Sequence, residues 1–306
     1  MVRVLVACRL DPVGLEMMKE KGLEVVYREE ISQDEFDKVY ADYEAVIVRS
    51  NVKVRPVRGR GNLRLIVRAG VGLDNVDVSG FTKLGVKVLN TPGAVTRAVA
   101  ELTVGLMISL ARDIPRLATD LKSGRWSKAQ AHGVELAGKT IGVIGCGRIG
   151  REVARLARAF GMRVLVNDLI EIPRDFLQEI GGHQVDLETL LKESDFVSVH
   201  VPLDPSTKNL IGEKQLRLMK RTSYLINTSR GDVVNEEALK RALTEGWIAG
   251  AALDVFSKEP PDDTELLRHP RLIPTPHMGA QTAEAQRAAG VEAARLVIEE
   301  LSTRPA

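Results

Sequence analysis

Residues 140–150 read Thr140-Ile-Gly-Val-Ile-Gly-Cys-Gly-Arg-Ile-Gly150, a β-branched run that closes on glycines at 145, 147 and 150. The run Thr140–Ile144 predicts a buried strand, and Val153, Leu156, Ala157 and Phe160 then recur at helical spacing. A G-x-G-x-x-G placed between strand and helix has a physical logic. Gly145 permits the tight turn, Gly147 lets the backbone approach a pyrophosphate, and Gly150 lets helix and strand pack closely. The helix N-terminus offers free N–H groups and a partial positive charge to the phosphates. Glycine-rich turns are common, so context decides. A second strand, Val164–Asn167, leads into Asp168, 18 residues beyond Gly150. A carboxylate there accepts hydrogen bonds from ribose hydroxyls and repels a 2′-phosphate, which argues for NAD over NADP.

Working outward, short apolar runs alternate with helical patterns, the mark of βαβ units and parallel sheets. One series is Val2–Cys8, Leu23–Tyr27, Ala45–Arg49, Leu65–Arg68 and Val86–Leu89, with helices expected over Pro12–Lys21 and Ser32–Tyr43. A second is Thr140–Ile144, Arg163–Asn167, Phe196–Val201, Ser223–Asn227, Ala249–Leu253 and Leu272–Pro274. Between the series lies a long helical pattern from about Thr96 to Lys122, interrupted by Pro115. A last helix is expected over Thr282–Leu301. The fold class is α/β, two doubly wound parallel-sheet domains joined by a helix.

Composition narrows the function classes. The 306 residues are 44% hydrophobic and 27% charged, ordinary for a globular protein with a real core. Forty-three Lys+Arg against 41 Asp+Glu leave +2, with no run of five like charges, and aromatics are 4%. Neither a basic face nor a base-stacking platform is indicated, so no nucleic-acid partner is expected. Two cysteines, Cys8 and Cys146, make neither a disulfide framework nor a metal site. No run approaches the roughly 18 apolar residues of a membrane span. The apolar run Val4–Cys8 is too short for a signal-peptide core, so a reducing, cytoplasmic location is expected.

In an open α/β sheet, ligands bind outside the carboxyl ends of the strands. Three strand ends of the second series deliver Arg230, Glu259 and His277. Arg presents a carboxylate with a bidentate fork. His is the natural base for the proton of a carbinol hydroxyl, and a carboxylate beside it fixes its tautomer. Singly, each has an ordinary structural explanation: a surface ion pair, a solvated loop residue, a helix cap. Together, behind a dinucleotide fingerprint, they suit hydride chemistry on a 2-hydroxy acid.

The chain resembles the D-isomer-specific 2-hydroxyacid dehydrogenase family over essentially its whole length, and within it the phosphoglycerate dehydrogenase branch. The carrying segments are Arg68-Ala-Gly-Val-Gly-Leu-Asp-Asn-Val-Asp77, Asn90-Thr-Pro-Gly, residues 141–150, Asn227-Thr-Ser-Arg-Gly-Asp232, Ala252-Leu-Asp-Val-Phe256 with Glu259-Pro260, and Pro276-His-Met-Gly-Ala280. The resemblance implies a Rossmann NAD-binding domain over 96–281 and a flavodoxin-like substrate domain over 1–95, completed by 282–306. It implies Arg230 as carboxylate anchor, His277 as general acid/base and Glu259 as its partner. Gly145, Gly147, Arg148, Ile149 and Gly150 would wrap the pyrophosphate and Asp168 hold the ribose. Val201, Thr228 and Asp254 would line the nicotinamide side, with Gly279 and Ala280 completing the cofactor set. NAD is the implied cofactor, no metal is expected, and the chain is expected to form a homodimer around the helix near Thr96. The active site is expected between the domains, with hinge closure.

For substrate, Arg49-Ser50, with Lys53 nearby, resembles the segment that faces a phosphorylated hydroxy acid, and Gly70–Val71 would offer backbone N–H groups to its carboxylate. Lys128 matches a basic position that reaches a neighbouring subunit's site, although Ala129, Gln130 and Ala131 depart from the pattern there. The chain's length suggests a core enzyme without an amino-acid-binding regulatory domain. The leading expectation is oxidation of 3-phospho-D-glycerate to 3-phosphohydroxypyruvate, the opening step of serine biosynthesis. A glyoxylate or hydroxypyruvate reductase sharing the same catalytic residues is the alternative. An NAD-sensing binding protein is a third reading, disfavoured by the absence of an added tail.

Overall fold

The computed structural model describes residues 2–302. The chain divides into two compact units, one made of Met1–Thr96 and Ala280–Ala306, the other of Arg97–Gly279. Each is built on a wholly parallel sheet among the described residues.

The first sheet holds β1 (Arg3–Val6), β2 (Glu24–Tyr27), β3 (Ala45–Val48), β4 (Leu65–Arg68) and β5 (Lys87–Asn90) in the order β2-β1-β3-β4-β5. This is the flavodoxin-like order, whose direction reverses between β1 and β3. Central β3 is Ala-Val-Ile-Val with every residue buried, as a strand covered on both faces requires. One face packs on the helix Ala283–Ser302 through Ala293, Ala294 and Val297, which meet Val4, Val6, Ala45 and Ile47. That helix runs so close to Pro12–Glu20 that a Cβ on Gly14 would come within 2.6 Å of Gly290 O. Small residues are what allow the approach.

The second sheet contains β6 (Thr140–Ile144), β7 (Arg163–Asn167), β8 (His183–Gln184), β9 (Phe196–Val199), β10 (Tyr224–Asn227), β11 (Gly250–Leu253) and β12 (Leu272–Pro274). Its order, β12-β11-β10-β9-β6-β7-β8, is the Rossmann winding with its switch point between β6 and β9. The helix Arg148–Ala159 buries Gly150, Val153, Ala154 and Ala157 against it. The long helical pattern resolves into two helices, Thr96–Arg112 and Ile114–Lys122. Pro115 cannot continue a helix from its N-terminal side, so the chain breaks just upstream, at Asp113 with φ 51°. The strand expected over Phe196–Val201 stops at Val199, and Ser32–Tyr43 becomes the helix Gln33–Val39 followed by a 3₁₀ turn, Tyr40–Asp42. No helix among the described residues is long and apolar enough to cross a membrane.

Candidate active site

The glycine loop follows β6 directly. Gly145 has φ 88°, and its N–H donates to Asn167 O at 2.8 Å. A Cβ there would come within 2.7 Å of the His200 carbonyl carbon and 2.8 Å of Val201 Cγ1. On Gly150 a Cβ would come within 2.0 Å of Gly145 O. The chain itself therefore dictates these two glycines. Gly147 differs: its backbone is ordinary for any residue (φ −73°, ψ −160°), and among the described residues no atom beyond its own immediate chain neighbours lies within 4 Å of where its Cβ would be. It precedes Arg148 and Ile149 at the start of a helix that has no side-chain cap. The protein leaves open space and unpartnered helix N–H groups in the same place, which fits a phosphate seated against the backbone.

Half-buried Asp168, just past β7, is aimed at this loop. Its Oδ2 accepts from Cys146 N–H at 2.7 Å and its Oδ1 from Ile170 N–H at 3.2 Å. The carboxylate is thus fixed in orientation with acceptor capacity to spare for vicinal hydroxyls. Cys146 is buried, and burial pushes its thiol up to about 11, so it fills space and is not a nucleophile. His200 stands at the switch point with Nε2 2.8 Å from Ser198 Oγ; its Nδ1 is buried without a hydrogen-bond partner. Desolvation lowers its pKa to about 3, so the ring is neutral.

Three loops at the carboxyl ends of β10, β11 and β12 carry the proposed chemistry. After β10, the side chain of buried Asn227 accepts from Ser229 N–H at 3.0 Å and donates to Arg230 O at 2.9 Å, which shapes the turn presenting Arg230. Half-buried Arg230 donates from Nη1 to Ser229 O at 2.7 Å. Thr228 Oγ1 lies 2.9 Å from Thr103 Oγ1 on the helix Thr96–Arg112. After β11, Asp254 is 1% exposed and brackets the third loop: it accepts from Thr275 Oγ1 at 2.6 Å, Met278 N–H at 2.9 Å and Gly279 N–H at 2.9 Å. The bracketed loop holds His277 in the left-handed region, φ 50°.

His277 Nδ1 meets Glu259 Oε2 at 2.6 Å, and Glu259 Oε1 accepts from Phe256 N–H at 3.1 Å. Partial burial of Glu259 opposes its ionisation. The His277 hydrogen bond, the Phe256 amide and the positive charge of Arg230 outweigh this and hold the carboxyl below its usual range. Glu259 is therefore an acceptor near neutrality, and the imidazole that donates Nδ1–H to it presents Nε2 as its free lone pair.

The remaining candidates belong to the first unit. Arg49 follows β3; its Nη1 donates to Gln286 Oε1, its Nε is buried without a partner, and burial lowers its pKa. Asn75 Nδ2 donates to Arg49 O at 2.6 Å and Val52 O at 2.7 Å, pinning the segment that contains exposed Ser50. Gly70 has φ 146°, and a Cβ there would meet Arg68 Nη1 at 1.5 Å. Val71 O accepts from Asn90 Nδ2 at 2.5 Å, and Ala280 O from Gln286 Nε2 at 2.7 Å. The structure thus gathers Arg230, Glu259, His277, Thr228, Asp254 and Gly279 at one sheet edge, and Arg49, Ser50, Gly70 and Val71 on loops following two adjacent strands of the other unit. Sequence reasoning passed over Asn227 and His200 as site residues, although Asn227 closes β10 and His200 directly follows β9, which is the available signal. Among the described residues no group of three His, Cys, Asp or Glu could hold a metal.

Residues 104–279 match the family described as D-isomer specific 2-hydroxyacid dehydrogenase, NAD binding domain. The chain is 43% identical to a D-3-phosphoglycerate dehydrogenase of Methanocaldococcus jannaschii over 95% of this chain but 56% of that protein, so it spans little more than half the length of that relative. It is 44% identical to a hydroxypyruvate reductase of Thermotoga maritima over 95% of this chain and 96% of that one. A crystal structure of D-lactate dehydrogenase from Aquifex aeolicus complexed with NAD and lactic acid superposes with TM-score 0.84 at 30% identity, covering 98% of this chain and 95% of that one. By its match over residues 104–279 and its identity to these relatives, this chain belongs to the D-isomer specific 2-hydroxyacid dehydrogenases, with NAD as its cofactor.

Proposed function

We propose that the chain interconverts 3-phospho-D-glycerate and 3-phosphohydroxypyruvate, with His277 as acid/base, Glu259 as its partner and Arg230 as the anchor of the substrate carboxylate. The observation that carries the chemistry is the 2.6 Å His277–Glu259 contact, made by a carboxylate held ionised beside Arg230. The chemistry that NAD would supply when bound is that of a hydride acceptor for the carbinol carbon. His277 Nε2 takes the hydroxyl proton, and Glu259 stabilises the imidazolium that results. Arg230 grips the carboxylate and polarises the adjacent C–O bond, favouring charge as the carbonyl forms. Gly147, Arg148 and Ile149 would hold the pyrophosphate of NAD and Asp168 its ribose, with Val201, Thr228, Asp254, Gly279 and Ala280 toward the nicotinamide.

The phosphorylated substrate is supported by the phosphoglycerate dehydrogenase relative and by Arg49, a half-buried guanidinium whose Nε has no hydrogen-bond partner among the described residues. Ser50, Gly70 and Val71 would complete that contact. A place in serine biosynthesis and a homodimeric, cytoplasmic enzyme belong to the same reading. Reduction of hydroxypyruvate or glyoxylate is the second reading, favoured by the Thermotoga relative, which is matched over 95% of this chain and 96% of that one. The test is NADH oxidation with 3-phosphohydroxypyruvate, hydroxypyruvate and glyoxylate. A kcat/KM preference for the phosphorylated acid of about a hundredfold, near 2.7 kcal/mol, that collapses in Arg49→Ala supports the first reading. Equal or reversed preference in the wild type moves the protein to the second.

A further inference from the structure

The loop that carries Glu259 is tied down from behind by the segment following Arg230. Gly231 lies backbone to backbone with that loop: a Cβ on it would come within 1.9 Å of Phe256 C and 2.2 Å of Ser257 N. Five residues on, Glu236 opens the helix Glu236–Glu245, and its Oε1 accepts from Ser257 N–H at 2.6 Å. The neighbouring Phe256 N–H donates to Glu259 Oε1, whose partner oxygen meets His277. Glu236 touches neither Glu259 nor His277; it grips the backbone between the Arg230 turn and the Glu259 carboxylate.

We propose that Glu236 is a positioning residue for the reaction, holding the Ser257–Glu259 loop so that Glu259 stays within reach of His277. The inference rests on the acid/base roles proposed above for Glu259 and His277. Its physical basis is a charge-assisted hydrogen bond to a backbone N–H one residue from the amide that orients Glu259. Released, the loop keeps the Gly231 contact but loses the bond that fixes its far side, and misplacing a catalytic group by a fraction of an ångström is expensive in rate. Glu236 also sits in the first turn of its helix, where a negative charge is favourable. That contribution concerns helix stability and does not pass through Glu259, which makes the two roles separable.

The experiment compares Glu236→Ala, Glu236→Gln and Glu259→Gln, alone and combined, in NADH oxidation with whichever of hydroxypyruvate and 3-phosphohydroxypyruvate the wild type turns over faster. NADH binding is followed by fluorescence in parallel. Glu236→Ala should lower kcat by about tenfold or more with NADH affinity unchanged. Glu236→Gln, which keeps an acceptor for Ser257 N–H but no charge, should recover most of that loss. In the Glu259→Gln background the Ala substitution should cost little more, because its route to His277 is already cut. Wild-type kcat in Glu236→Ala, no recovery with Gln, or losses that add in full would each overturn the inference. If Glu259→Gln alone leaves kcat unchanged, the proposed role of Glu259 falls and this inference with it. If Glu259→Gln lowers kcat and Glu236→Ala does not, only the inference falls.

Discussion

Alanine at Gly147 and alanine at Gly150 perturb the same loop in two different ways. At 147 the backbone angles suit any residue and no described atom beyond the immediate chain neighbours lies within 4 Å of the added methyl, so the fold accepts it. The stability cost should be that of a poorer helix N-cap, roughly half a kcal/mol. At 150 the methyl would lie 2.0 Å from Gly145 O, well inside contact distance, and helix and strand must separate to admit it. Overpacking of that kind costs about 1–3 kcal/mol, and a unit of this size loses roughly 2–4 °C of Tm per kcal/mol. The two variants should therefore separate in a paired assay of thermal unfolding and NADH fluorescence titration. Gly147→Ala should unfold within about 2 °C of wild type yet bind NADH at least about tenfold more weakly, a loss of about 1.4 kcal/mol. Gly150→Ala should lose both stability and binding. Wild-type NADH affinity in a stable Gly147→Ala would refute the argument that the open space there is the seat of the pyrophosphate.

Three further expectations follow from the polar groups of the second unit. Because Glu259 is held below its usual range, the stability it contributes is complete above about pH 4.5, the reference carboxyl value, and is lost as pH falls through the lower folded value. The Tm difference between wild type and Glu259→Gln should accordingly narrow on acidification below that point; a gap that widens contradicts the pairing. His200, neutral when folded down to about pH 3 and protonating near 6.5 once unfolded, should make stability fall by up to about 1.4 kcal/mol per pH unit below 6.5. His200→Asn should flatten that slope in chemical denaturation at several pH values, and identical slopes would show that the ring is not desolvated. Asp254→Asn leaves acceptors for Thr275 and Met278 but turns an NH₂ toward Gly279 N–H, so it should destabilise by about 1–3 kcal/mol and lower kcat. A variant with the wild-type melting point and turnover would remove Asp254 from the loop's support.

What was legible in the sequence was whatever local sterics or strand ends dictate. Gly145 and Gly150 could be read because a Cβ has no room there, and the positions of Arg230, Glu259 and His277 because each lies shortly after the carboxyl end of a strand. The winding of both sheets followed from continuous apolar strands separated by helical patterns. Illegible features depend on partners remote in the chain. Asp254 reaches groups 21–25 positions on, Glu236 a backbone amide 21 away, and Arg49 a glutamine 237 away. Nothing in the spacing of charged residues announces such pairs. Boundaries erred for a local reason: the break attributed to Pro115 sits at Asp113, because proline disturbs the turn before it. The two-residue strand β8 is too short to carry an alternation pattern.

The helix Ala283–Ser302 covers a face of the first sheet whose strands come from the opposite end of the chain. During synthesis this sets an order of events. Val4, Val6, Ala45 and Ile47 are made before residues 97–279, and their cover only after the whole of that unit. The second unit is contiguous and can complete itself on the ribosome while the first still shows an apolar sheet face to solvent. For that interval the uncovered face is open to association with other chains. A stop codon in the loop before Ala283 would therefore spare the dinucleotide fold and leave the amino-terminal sheet as an aggregation surface.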